Sequence, residues 1–130
     1  MKMTLRTILV VLTVSLIIGC SSEKAAIIMK ERSGDEYVEN KIISKPEEME
    51  QFTGFMDGLR WQEETQVMML HPAEYSFTVE KGDWEYRVWM TPKKGSLEMT
   101  REYSEANDYI RISGEEAAFV FKVITGEKLQ

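Results

Sequence analysis

Few side chains in this 130-residue chain are of the kinds that carry chemistry: one cysteine, Cys20, one histidine, His71, and 22 aspartates and glutamates. Zinc is held by clusters of thiolate, imidazole and carboxylate ligands. His71 precedes Pro72 and has no second His or a nearby Cys to join it, so a turn histidine is the plainer reading. Calcium needs a dense run of oxygen ligands around a glycine. Glu102, Glu105 and Asp108 are too loosely spaced for that and fit solvated surface charge better. A nucleophilic serine needs a neighbouring base, yet the chain has no Gly-x-Ser-x-Gly elbow and only His71 to serve as an imidazole. The carboxylate pairs Glu47-Glu48, Glu63-Glu64 and Glu115-Glu116 fall in loops or first helical turns, where negative charge suits the helix dipole. Nothing selects two of them to face one cleft, as glycoside hydrolysis requires. No glycine-rich phosphate loop occurs. The sequence therefore defines no enzyme and calls for no cofactor. The remaining enzymatic alternative is an envelope hydrolase or divalent-metal-dependent enzyme that uses surface carboxylates.

Cys20 poses a different question. Lys2 and Arg6 precede an apolar run from Ile8 to Ile18, and Gly19-Cys20-Ser21-Ser22 interrupts it. A basic start, a short apolar stretch and a small residue are the layout of an export signal. The run falls short of the about 20 apolar residues that span a bilayer. Ile17-Ile18-Gly19-Cys20 resembles the lipobox of bacterial lipoproteins, with Gly19 as the small residue before the cut and Ile17 as the aliphatic residue three before the cysteine. Ile18 is bulkier than the alanine or serine often found in its place. The resemblance implies that the Cys20 thiol receives a diacylglyceryl group and that a signal peptidase cuts between Gly19 and Cys20. A single thiol cannot form an intrachain disulfide and would be open to oxidation outside the cell; acylation removes it. Two acyl chains anchor stably where one binds only marginally.

The expected organisation is a signal peptide over residues 1–19, a lipidated Cys20 with a short tether over 20–24, and one domain over 25–130. The chain from Cys20 onward has 111 residues, with all 22 acidic residues against 14 Lys and Arg, a net charge of −8. That charge argues against nucleic-acid binding, which calls for a basic patch, and against adhesion to an anionic surface. The lipid, not the charge, would hold the domain at the membrane.

The pattern of this domain is hairpins with two helices. Ala25–Arg32 and Glu36–Ile43 read as paired strands around Ser33-Gly34-Asp35, with Val38 and Ile42 on one face. Ser44-Lys45-Pro46-Glu47 announces a helix, Ser44 and Glu47 forming a capping box and Pro46 lying in the first turn. Met49, Phe52, Phe55, Met56 and Leu59 follow at helical spacing. Trp61–Thr65 reads as a loop and Gln66–Leu70 as a strand that ends at His71-Pro72. Glu74–Glu80 and Trp84–Met90 alternate around the turn Lys81-Gly82-Asp83, with Tyr75, Phe77, Val79, Trp84, Tyr86, Val88 and Met90 inward. Ser96–Thr100 and Asp108–Ile112 form another pair around a loop from Arg101 to Asp108, with Leu97, Met99, Ile110 and Ile112 as inward candidates. Ser113-Gly114-Glu115-Glu116 is a second capping box, and Ala117, Val120, Phe121 and Ile124 make one helical stripe that stops at Gly126. This order predicts an α+β domain: an antiparallel sheet of about five to six strands with two helices packed on one face.

The same alternation turns Arg87 and Trp89 away from the helices, and Tyr109 and Arg111 follow by parity from the later strand. A Trp, a Tyr and two Arg on one open sheet face have the composition of a binding hot spot. They are the candidate binding face for a protein or peptide. The plain alternative is that Trp89 packs under a loop while the arginines pair with Glu85 or Glu98. Ala73-Glu74-Tyr75-Ser76-Phe77, Glu85-Tyr86-Arg87-Val88-Trp89-Met90 and Tyr109-Ile110-Arg111-Ile112-Ser113 together resemble the small lipoproteins of Bacillus and relatives that carry a YhfM-like domain. The similarity runs from Lys41-Ile42 to the last helix, with one extra residue between Pro72 and Tyr75. It implies a membrane-anchored domain on the outer face of a Gram-positive cytoplasmic membrane and brings no known reaction.

Overall fold

The computed structural model describes residues 26–79 and 84–130. The expected export signal with Gly19, the expected lipidation site Cys20, the expected tether and the expected turn Lys81-Gly82-Asp83 lie outside them. Among the described residues six strands are present: β1 (Ile27–Ser33), β2 (Glu36–Ile43), β3 (Tyr75–Val79), β4 (Glu85–Met90), β5 (Ser96–Tyr103) and β6 (Ala106–Ser113). Helix α1 (Pro46–Asp57) follows β2 and helix α2 (Gly114–Thr125) follows β6. The strands form one sheet in the order β2-β1-β3-β4-β5-β6, and every pairing is antiparallel. The domain is α+β, as the sequence pattern predicts.

Alternation along each strand divides the sheet into two faces. Ile27, Met29, Phe77, Tyr86, Val88, Leu97, Met99, Ile110 and Ile112 are buried together with Phe52 and Met56 of α1 and Ala117, Val120, Phe121 and Ile124 of α2. Both helices therefore cover one face. Each fully buried large apolar side chain is worth roughly 1.5–3 kcal/mol of transfer free energy. Aromatic geometry adds to it: Phe77 stacks on Tyr86 with centroids 4.6 Å apart, and Phe52 meets Phe77 at 5.3 Å. Tyr75, Val79, Trp84 and Met90 lie partly buried at the margin of this core. α2 ends where expected, on Gly126 in the left-handed region at φ 76°, whose N–H closes on the Lys122 carbonyl.

Four expectations are corrected. Ser44 does not cap α1; the N-cap is Lys45, and no side chain bonds the first turn. Ser113 is the N-cap of α2, but its hydroxyl makes no capping bond. Val38 and Ile42 do not share a face. A bulge leaves Asn40 unpaired, because Met29 opposes Lys41 while Lys30 opposes Glu39. The extra residue reverses the parity, so Ile42 pairs with Ile28 and Val38 with Glu31. Gln66–Leu70 is not a strand. A strand needs a neighbour, and the edge it would join is already engaged. Gln62 and Tyr109 exchange both backbone hydrogen bonds, at 2.8 and 3.0 Å, and the Thr65 N–H donates to the Asn107 carbonyl. After that the chain leaves the edge of β6.

Candidate functional site

The second face of the sheet carries the four residues singled out by parity. Arg87 stands opposite Thr100, which stands opposite Tyr109; Trp89 stands opposite Glu98, which stands opposite Arg111. The shared face is as expected, but its openness is not. Trp89 is only 6% exposed, and its indole Nε1 donates to the His71 carbonyl at 2.8 Å. The segment between α1 and β3 covers it. This segment is tied down at both ends. Its start is held at β6 by Gln62, by Thr65 and by Glu64, whose N–H donates to Asp108 Oδ1 at 3.1 Å. Its end is held where Tyr37 Oη donates to the Ala73 carbonyl, the Glu74 carboxylate accepts from the Met90 N–H, and the Glu74 carbonyl accepts from the Arg32 N–H.

The other three members are engaged with carboxylates. Arg87 lies between Glu85 and Glu102, at 3.4 and 3.5 Å. The Tyr109 hydroxyl donates to Glu98 Oε1, and Arg111 Nη2 approaches the same oxygen at 3.4 Å. Burial pushes the Tyr109 phenol above its ordinary pKa, and the hydrogen bond to Glu98 and the charge of that carboxylate add to the shift against the opposing Arg111. Pairs this accessible contribute about 0–1 kcal/mol each. Their effect is to neutralise the face rather than to leave cations waiting for a partner.

The covering segment exposes apolar side chains. Met68 is 95% and Leu70 99% exposed, with Val67 also open. An exposed leucine alone needs no explanation, but here three large apolar side chains stand exposed within four residues of one covering segment. The segment is also long for a connection without secondary structure of its own, a class of loop that commonly serves function. The signal in the sequence was the run Val67-Met68-Met69-Leu70 itself, misread as a strand because length and hydrophobicity alone do not reveal whether a neighbouring strand is available.

A second cluster was hidden by reading Arg101–Asp108 as a loop. β5 and β6 extend through it, so Arg101 and Asp108 face each other across the hairpin. They form an ion pair at 2.8 Å, with side chains only 12% and 5% exposed. The Arg101 guanidinium also lies 4.6 Å from the Trp61 ring and 4.5 Å from the Trp84 ring. Trp61 Nε1 donates to the Met56 carbonyl at 2.7 Å, tying α1 to the same corner. Burial raises the pKa of the adjacent Tyr86, the nearby Asp57 charge raises it further, and Arg101 acts in the opposite sense. Arg101 also approaches Asp57 of α1 at 3.7 Å, so the cluster pins α1 to the β5–β6 hairpin on the helix face.

Glu102 and Asp108, considered above as calcium ligands, are separated by these roles: Glu102 pairs with Arg87 and Asp108 with Arg101. Among the described residues, no group of three or more His, Cys, Asp or Glu side chains is placed to hold a metal ion. His71 Nδ1 lies 3.4 Å from Glu74 Oε1. Among the described residues, no helix is long and apolar enough to cross a membrane. No protein-family model, curated protein or solved structure matches this chain.

Proposed function

We propose that this chain is a lipid-anchored binding or accessory module, held on the extracytoplasmic face of a Gram-positive cell membrane by a diacylglyceryl group on Cys20. Its partner is a protein or peptide that docks on the covering segment of the second sheet face. Met68 and Leu70 supply the apolar anchors, and Arg87, Tyr109 and Arg111 form a polar rim around the buried Trp89. The observation that carries the docking surface is the near-complete exposure of Met68 and Leu70 on a segment hydrogen-bonded to the sheet at both ends. The lipobox at Ile17–Cys20 and the likeness to lipoproteins with a YhfM-like domain support the location.

The test is site-specific photo-crosslinking in living cells, with the photoreactive residue placed at Met68, at Leu70 or at the exposed control position Glu50 on α1. A discrete adduct of one protein is expected at the first two positions and absent at the third. Equal, diffuse labelling at all three would remove the binding surface from the proposal.

A further inference from the structure

A cleft on the other side of the sheet offers a different ligand chemistry. It lies between α1, α2 and the end of β2 and has a volume of about 470 Å³, within the roughly 300–1,000 Å³ of small-molecule sites. Ile43, Phe52, Phe119 and Val123 give it apolar walls, Lys41 and Lys122 line it beside the last turn of α2, and Gln51 and Glu48 line it from α1, the Glu48 carboxylate lying 4.0 Å from Lys45 Nζ. A second cleft of similar volume, between Arg60, Arg111 and Glu116, has mostly charged and polar walls. Lys41 Nζ donates to the Val123 carbonyl at 3.0 Å, and an ammonium carries three donors, so two remain for a ligand. An apolar trough with two ammonium groups and one carboxylate on its lining carries a local excess of positive charge, complementary to an amphiphile with an anionic head.

The position of the cleft keeps it near the proposed anchor. Ile43, in its wall, pairs directly with Ile27, the first residue of β1. Cys20 precedes Ile27 by seven positions, and an extended chain covers about 3.3–3.6 Å per residue, so the cleft stays within about 30 Å of the anchored cysteine. We propose that this cleft binds a single long-chain fatty acid taken from the membrane, its acyl chain against Phe52, Phe119 and Val123 and its carboxylate between Lys41 and Lys122. The membrane source rests on the lipid anchor of the proposed function; the chemistry of the cleft does not.

The test uses the full-length protein in detergent-free membranes, exposed to a palmitic acid that carries a diazirine in its chain. After irradiation, the adducts are mapped by peptide mass spectrometry and the Cys20 modification is read from the intact mass of the same sample. Adducts are expected on peptides spanning residues 41–52 and 119–126. The double variant Lys41→Gln/Lys122→Glu, which removes both positive charges from the cleft, should lower their yield at least fivefold. If that variant fails to fold, the wild-type map decides. Adducts spread over the surface, or concentrated on residues 67–70, would overturn the proposal, as would undiminished labelling of the folded double variant. A chain without lipid on Cys20 that still labels in the cleft would remove the anchor and leave the fatty-acid site standing.

Discussion

Strand β4 serves two surfaces that are buried by different means. Tyr86 and Val88 point toward the helices and join a continuous apolar core, whereas Arg87 and Trp89 point the other way, into ion pairs and under a hydrogen-bonded segment. On the helix face, area removed from water does the work and side-chain shape sets its limit. On the second face, coverage depends on backbone contacts from Gln62, Thr65, His71, Ala73 and Glu74. A peptide segment held at its ends can cover a tryptophan and still turn Met68 and Leu70 outward; a helix packed on a core cannot spare its apolar stripe in this way. Under the proposed function, the helix face sets stability and the second face offers side chains to a partner.

Substitutions can break or sharpen this contrast. The largest loss is expected on the helix face, where Phe77→Ala should cost ~3–5 kcal/mol through the cavity it leaves between Tyr86 and Phe52; chemical denaturation measures it. Next comes the corner pin. Asp108→Ala leaves the Arg101 guanidinium only the exposed Asp57 carboxylate, 3.7 Å away, and removes an acceptor from the Glu64 N–H, for about 3 kcal/mol. A cost below that of an exposed pair would show that the corner is solvated and the two faces are less distinct than described. Trp89→Phe keeps most of the apolar area and deletes only the hydrogen bond to the His71 carbonyl, so about 1 kcal/mol is expected, together with faster amide exchange over residues 66–72. The smallest effect belongs to Arg87→Ala, at about 0–1 kcal/mol in equilibrium unfolding; a value rivalling Asp108→Ala would mean that the second face also sets stability.

Much of this contrast was legible in the sequence because alternation has a physical cause: successive side chains on a strand point to opposite faces. Phe77, Tyr86, Val88, Met99 and Ile110 were placed inward on that ground, as were Ala117, Val120, Phe121 and Ile124 by helical spacing. The same rule put Arg87, Trp89, Tyr109 and Arg111 on one face. It could not show that His71 lies over Trp89, because that contact joins residues whose proximity depends on the path of an irregular segment. Nor could local pattern reveal the Asn40 bulge, where one unpaired residue separates Val38 from Ile42, or the extension of β5 and β6 that brings Arg101 to Asp108. Those features arise from pairing between strands, which alternation within one strand does not encode.

The claim on which location and function both depend is the anchor, and its direct measurement is the intact mass of the protein extracted from membranes after growth with a palmitate analogue, for the wild type and for Cys20→Ala. A chain that begins at Cys20 and carries the mass of a labelled diacylglyceryl group, lost in the variant, is the expected result. An unmodified chain that still begins at Met1 would contradict the account, leaving Cys20 a free thiol and the domain without its hold on the membrane.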